Sequence, residues 1–286
     1  MQLMQVGPVG REIPLVGITR GTAVQWYDAS AVTERFDRRF FADGGMGRLA
    51  AASAAGELPE HELDPGARIG SPVSEPQALL CIGMNYAAHA AETGAAPPEQ
   101  PVLFLKTPNT IAGPDDTVLI PPGATKVDWE VELGVVIGTR ASYLADRESA
   151  AACVAGYVLG NDLSERDHQT AHSGGQWSKG KCAPGFAPLG PVLVSADEID
   201  VVDLRIRSWV NGEARQDSRT SDMIFDVPAI IHHLSQYLVL EPGDVVLTGT
   251  PEGVALSGEY PYLRSGDVVE VEIEGLGRQR QLFAGA

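Results

Sequence analysis

Between Lys126 and Gly138 the chain alternates. Val127, Trp129, Val131 and Leu133 are apolar, while Asp128, Glu130 and Glu132 are acidic. A period of two belongs to a β-strand, whose successive side chains point to opposite faces. The spacing therefore predicts a half-buried strand with Glu130 and Glu132 projecting from one face. Two such carboxylates repel each other, and a hard cation such as Mg²⁺, Mn²⁺ or Ca²⁺ between them removes the repulsion. A solvated face is the plainer account, and the chain holds a control for it: Glu270, Glu272 and Glu274 alternate in the same way. Context separates the two stretches. After Glu132 the first becomes wholly apolar (Val135, Val136, Ile137), as a strand does on entering a core. A second apolar run from Tyr157 to Gly160 then ends in Asn161 and Asp162, a third carboxylate that can complete an all-oxygen site. The C-terminal stretch has no such partner beside its Gly275-Leu276-Gly277 turn and reads as a solvent face.

The 286 residues suffice for one large domain with a small appendage, and 44% hydrophobic with 21% charged residues is ordinary for a globular protein. A formal net charge of −17, with no Lys/Arg run to offset it, argues against nucleic-acid and anionic-membrane partners. It also means that an anionic substrate needs a local cluster of cations. No apolar run approaches membrane-spanning length. Cys81, Cys153 and Cys182 are odd in number and lack metal-type spacing, so they read as reduced thiols of a cytoplasmic protein. The stretch from Met1 to Pro8 has neither the basic region nor the apolar stretch of a signal peptide.

Residues 1–70 read as a small β-rich accessory unit and residues 71–286 as the main, catalytic domain. In the first, residues 13–19 and 22–26 read as strands around Arg20-Gly21, residues 32–41 and 48–55 as short helices, and residues 57–76 as a connector rich in Pro, Gly and acidic residues. In the second, residues 78–83 read as a core strand. An Ala-rich helix follows and closes at Gly94, with His89 and Glu92 on one face. A carboxylate holding an imidazole fixes its tautomer and raises its basicity, although a surface His–Glu pair has the same spacing. Residues 95–100 are a Pro-rich piece, and residues 85–100 suit a lid that orders on binding and excludes water. Residues 102–106 and 117–120 read as strands, and residues 148–155 as a helix. His168 and His172 stand at helical spacing and with Cys182 could form a zinc set. The Gly-rich loop from Gly174 to Gly185 lacks the Gly-Lys-Ser/Thr of a phosphate-binding loop. Beyond Pro188 the chain is β-rich. A strand over residues 201–210 runs into the hairpin signal Asn211-Gly212, and Asp226 caps a helix with Ile230, Ile231, Leu234 and Leu238 inward. The strand from Val245 then turns at Thr248-Gly-Thr-Pro251.

Six elements stand in order: Gly-x-Asn-Tyr-x-x-His-x-x-Glu at 83–92, Phe-Leu-Lys at 104–106, Glu-x-Glu at 130–132, Asn-Asp-x-Ser-x-Arg-Asp-x-Gln at 161–169, Gly-Lys at 180–181, and Thr-Gly-Thr-Pro at 248–251. Together they resemble the fumarylacetoacetate hydrolase family over residues 78–283. Ser173–Lys181 and Glu274–Arg280 resemble its branch that hydrolyses 2,4-diketo-3-deoxy sugar acids. The resemblance implies an α+β, mostly β fold with a mixed β-sandwich or roll core, and a homodimer. It implies Glu130, Glu132 and Asp162 as ligands of Mg²⁺ or Mn²⁺, with Ca²⁺ a substitute in a crystal. His89 and Glu92 become a water-activating dyad, Lys181 a further catalytic residue, and Lys106, Arg166, Gln169 and Thr250 contacts to a small anionic keto-acid. Met84 departs from members with Arg there, which disfavours dicarboxylates such as oxaloacetate. Cys182 replaces a small polar residue.

The expected reaction is metal-dependent hydrolysis of the C–C bond of an acylpyruvate to pyruvate and a carboxylic acid. His89 deprotonates water, and Lys181 stabilises the oxyanion. Oxaloacetate decarboxylation and isomerisation or decarboxylation of 2-hydroxy-diene-dioates use the same metal–enolate chemistry without activated water. A metal-stabilised binding module is the non-enzyme alternative.

Overall fold

The computed structural model of this protein describes residues 1–286 except Thr22, Thr93 and Ala95. The expected starts of the second N-terminal strand at Thr22 and of the Pro-rich piece at Ala95 therefore lie outside the described residues. The fold is mostly β, with short helices on its margins. One large sheet orders its main strands as Ala23–Asp28, Ile13–Arg20, Gln2–Val6, Ala187–Ser195, Val154–Asn161, Val131–Ile137, Val245–Leu247, Leu79–Gly83 and Val102–Lys106. Neighbours run antiparallel except Val245–Leu247, which lies parallel to Leu79–Gly83. The N-terminal strands join the sheet through Gln2↔Val194 and Leu3↔Leu193, so residues 1–70 attach along one continuous sheet. A second sheet orders Glu213–Arg219, Arg205–Val210, Val268–Ile273, Gly277–Gly285 and Val118–Ile120. It packs against the strands Val131–Ile137 and Val154–Asn161. Among the described residues no helix is long and apolar enough to cross a membrane.

The local signals that worked are those whose chemistry is local. Asn211 (φ 53°) and Gly212 (φ 80°) both adopt the left-handed region that a two-residue hairpin turn needs. The Asp226 carboxylate accepts from the Ala229 N–H at 3.0 Å and caps the helix Val227–Ser235. Glu270 and Glu272 lie on the outer face, paired with Arg278 and Arg207.

Several expectations need correction. The helix expected over 32–41 is only Arg38–Ala42, because Asp37 caps it by accepting from the Phe40 N–H. Residues 148–155 form a helix only over Arg147–Ala151, after which Val154 begins a strand. The strand expected over 201–210 starts at Arg205. Most important, the acidic stretch is neither one strand nor half-buried. Val127–Asp128 pairs with Ser164–Glu165, and a separate strand, Val131–Ile137, follows. Both faces are covered, one by the second sheet and the other by segments distant in sequence, so Asp128, Glu130 and Glu132 are buried along with Val127, Trp129 and Val131. The zinc set is not assembled either. His168 faces Glu165 at 3.5 Å, and the Cys182 sulfur accepts from the Thr107 N–H at 3.3 Å.

Gly156 marks how closely the central strands approach, since a Cβ there would lie 2.2 Å from the Val194 carbonyl oxygen. Backbone cannot yield as a side-chain tip can. Gly156→Ala is therefore expected to lower unfolding free energy by about 1–3 kcal/mol, read as a lower urea midpoint at unchanged m-value.

Candidate active site

The antiparallel register builds the acidic centre. Val131 pairs with Asn161 and Glu132 with Gly160, so Asp162 emerges beside Glu130. The Asp162 N–H donates to the Glu130 carbonyl at 2.8 Å, and the Glu130 N–H donates to the Asn161 side chain at 3.1 Å. One carboxylate oxygen from each of Glu130, Glu132 and Asp162 lies within 4.8 Å of the others, and all three residues are buried. Among the described residues this is the one such cluster of potential metal ligands.

Cations hold this charge. Lys181 Nζ lies 2.7 Å from Glu130 Oε2 and 2.8 Å from Asp162 Oδ2. Arg166 contacts Asp128 and Glu130, each at 2.7 Å. Lys106 Nζ lies 2.5 Å from Asp162 Oδ1. Burial alone would raise the Glu130 carboxyl, but Lys181 and Arg166 outweigh it and hold the group well below the usual carboxylate range. Burial opposes the charged forms of Lys181 and Arg166, yet their carboxylate neighbours push both above their ordinary values. Lys181 is thus a standing cation and not a base. Glu132 is the exception. It accepts from the Gly249 N–H at 2.8 Å, and burial, Asp162 and Glu130 raise its carboxyl far above normal. Four carboxyl groups (Asp128, Glu130, Glu132, Asp162) face three cations (Lys106, Arg166, Lys181), so ionising all four would leave one negative charge in excess. An all-oxygen donor set with one strained carboxyl fits a hard divalent cation held by Glu130, Glu132 and Asp162.

The short helix Ala87–Glu92 brings the second component. His89 Nδ1 lies 2.9 Å from Glu92 Oε1, and the Gly253 N–H donates to Glu92 Oε2 at 3.1 Å. Asn85 anchors the approach to this helix. Its amide donates to the Phe225 and Thr248 carbonyls at 2.9 and 2.8 Å and accepts from the Phe225 N–H at 2.8 Å.

His89, Glu130, Glu132, Arg166, Gln169, Lys181 and Thr250 all line one cavity of about 130 Å³. Lys106 is placed elsewhere. Its side chain is wholly buried, and its Nζ contacts Asp162 and the Leu163 carbonyl. Thr250 reaches the cavity with its hydroxyl proton committed to the Val131 carbonyl at 2.9 Å, while its oxygen accepts from the Gln216 amide at 2.8 Å. Gln169 accepts from Arg166 at 2.8 Å.

Sequence reasoning missed two positioning residues. Asp128 accepts from Arg166, from the Ala255 N–H at 2.8 Å and from the Leu256 N–H at 2.9 Å. It thereby ties the guanidinium to the turn beyond Thr250. Its period with Glu130 and Glu132 was the available signal. Gln216 joins Thr250 and Val131 from the second sheet. Its strand, Glu213–Arg219, is polar but for Ala214, so nothing in the sequence marks it.

A family model described as fumarylacetoacetate (FAA) hydrolase, C-terminal, matches residues 78–284. The chain is 46% identical to a 2,4-didehydro-3-deoxy-L-rhamnonate hydrolase of Sphingomonas sp. (strain SKA58) over 82% of each chain. It is 44% identical to a mitochondrial oxaloacetate tautomerase of Bos taurus, over 72% of this chain and 66% of the relative. Among solved structures, maleylpyruvate hydrolase from Sphingobium sp. SYK-6, in complex with manganese(II) and pyruvate, superposes with a TM-score of 0.79 at 28% identity, covering 100% of both chains.

The raised Glu132 carboxyl has a testable consequence for stability. As pH rises above about 4.3, the ordinary Glu value, the unfolded chain ionises while the folded chain resists. The Glu132 contribution therefore erodes stability with rising pH until the folded group titrates. In EDTA at pH 8, Glu132→Gln is expected to melt above the parent, with the difference vanishing near pH 4. Mn²⁺ should raise the melting temperature of the parent and leave the variant unmoved. Differential scanning fluorimetry reads both effects.

Proposed function

The chain belongs to the fumarylacetoacetate hydrolase family, and within it we propose a hydrolase that cleaves the C3–C4 bond of a 2,4-diketo acid to give pyruvate and a carboxylic acid. The observation that carries this reading is one small cavity lined by a carboxylate-oriented histidine, a buried lysine held cationic and two carboxylates of the acidic cluster. Pure tautomerisation or decarboxylation needs no activated water, whereas a His89–Glu92 pair serves that task.

Glu130, Glu132 and Asp162 would hold Mg²⁺ or Mn²⁺, which supplies Lewis-acid stabilisation of negative charge developing on the substrate oxygens. His89, fixed through Nδ1 by Glu92, takes a proton from water, and the hydroxide adds to the C4 carbonyl. Lys181 stabilises the resulting oxyanion. When the C3–C4 bond breaks, its electron pair stays with the pyruvate fragment, and the proton held by His89 returns to C3. Asp128 keeps Arg166 and the 255–256 turn in place, and Gln216 does so for Thr250. Lys106 acts through Asp162 as a positioning residue, because its amine contacts that carboxylate and it does not line the cavity. The reading includes assembly as a homodimer, which analytical ultracentrifugation checks.

The mitochondrial oxaloacetate tautomerase at 44% identity favours a second reading, proton transfer between C2-oxo and enol forms without bond cleavage. A substrate panel separates the two. Acetylpyruvate and a 2,4-diketo-3-deoxy sugar acid should release pyruvate with Mg²⁺ and cease to do so with EDTA. Loss of the oxaloacetate enol absorbance without pyruvate release from any diketo acid would establish the tautomerase instead.

His89→Ala is expected to lower kcat for pyruvate release by about 10²–10⁴-fold. Mn²⁺ binding, read by calorimetry, should persist, because His89 lies outside the carboxylate triad.

A further inference from the structure

Away from the carboxylates the cavity wall changes character. It is built from Ile82, Gly83, Met84, Phe104, Trp177 and Leu256. Trp177 stands directly against the backbone at Gly83, where a Cβ would lie 2.4 Å from its Cζ3 atom. Its ring lies 5.7 Å from that of Phe104, tilted by 60°. The other end of Phe104's environment is Lys181, whose Nζ sits 4.9 Å from the ring centroid. Trp177 and Lys181 flank one short helix, Ser178–Lys181. The indole is therefore clamped between a glycine that leaves no slack and a ring that also carries the catalytic lysine.

The two basic side chains that line the cavity, Lys181 and Arg166, stand at its acidic end. Lys181 binds Glu130 and Asp162, and Arg166 binds Asp128 and Glu130. A second carboxylate lodged against this wall would be desolvated among side chains that carry no charge, which is strongly unfavourable.

We propose that this wall is the subsite for the acyl end of the substrate, and that Trp177 is its specificity-determining residue. The chain takes 2,4-diketo monoacids with a short, uncharged acyl group and rejects those with a second carboxylate. The inference rests on the diketo-acid reading above and narrows it. A well-packed apolar pocket discriminates roughly 10–200-fold per methylene-sized misfit, so the selectivity is measurable.

The test compares acetylpyruvate, pivaloylpyruvate and succinylpyruvate with the parent, Trp177→Phe, Trp177→Ala and Met84→Arg. In the parent, kcat/KM should fall at least tenfold from the acetyl to the pivaloyl substrate, and further for the succinyl one. Trp177→Ala should shift the pivaloyl-to-acetyl ratio at least tenfold toward the bulky substrate, with Trp177→Phe intermediate. Met84→Arg should shift the succinyl-to-acetyl ratio by a similar factor. Unchanged ratios in all variants, or a parent that prefers succinylpyruvate, would overturn the proposal.

Binding is read independently by quenching of tryptophan fluorescence, which needs no turnover. Acetylpyruvate should quench the parent, and Trp177→Phe should lose most of that quenching. If the parent cleaves none of the three compounds, the hydrolase reading fails. The subsite then stands or falls on whether the same order of affinities, and its change in Trp177→Ala, appears in the titration.

Discussion

The pairing of Val131–Ile137 with Val154–Asn161 forces three acidic side chains into one buried space. Nothing about a β-ladder favours this. It persists because Lys106, Lys181 and Arg166 reach in from other parts of the chain and each settles on a carboxylate. The balance is uneven, and the unevenness falls on Glu132, whose neighbours are a backbone N–H and two other acids. A fold of this kind concentrates its electrostatic stress at one buried carboxyl group. Such stress is a recurring mark of sites where an ion or an anion is handled.

The same logic explains which cations line the cavity. Lys106 comes from the strand Val102–Lys106, with Phe104 two residues before it on the same buried side. The strand thus supplies the aromatic wall and, behind Asp162, a fixed counter-charge. Lys181 arrives on the Ser178–Lys181 helix. There Gly180 permits close approach, since a Cβ would meet the Gln169 nitrogen and the Glu165 carbonyl at 2.4 Å. The lysine that touches the cavity depends on a glycine, and the lysine that does not touch it depends on strand pairing.

How much of this was legible in the sequence follows from how local each cause is. Turn chemistry at Asn211-Gly212 and the Asp226 cap act within four residues and can be read directly. The acidic triad was visible as two carboxylates at strand period and a third at the end of an apolar run. That both faces of this stretch are buried was not visible, because the second cover comes from residues 160–181 and 248–256. Lys106 ends an apolar strand, which suits a substrate contact as well as a buried counter-ion, and only the position of Asp162 decides. Gln216 is one polar residue in a polar strand, and its burial depends on the strand Val131–Ile137, some eighty residues upstream.

The acidic cluster and the His89–Glu92 pair are carried by different elements. The carboxylates belong to the central sheet, where each substitution disturbs a close-packed interior. The dyad rides on a six-residue helix, Ala87–Glu92, at the margin, pinned mainly through Asn85. The acidic cluster and the histidine pair can therefore vary independently. A lineage could exchange hydrolysis for proton shuffling by altering a few positions in that helix, with the sheet untouched. A hydrolase and a tautomerase stand at nearly equal identity to this chain, 46% and 44%.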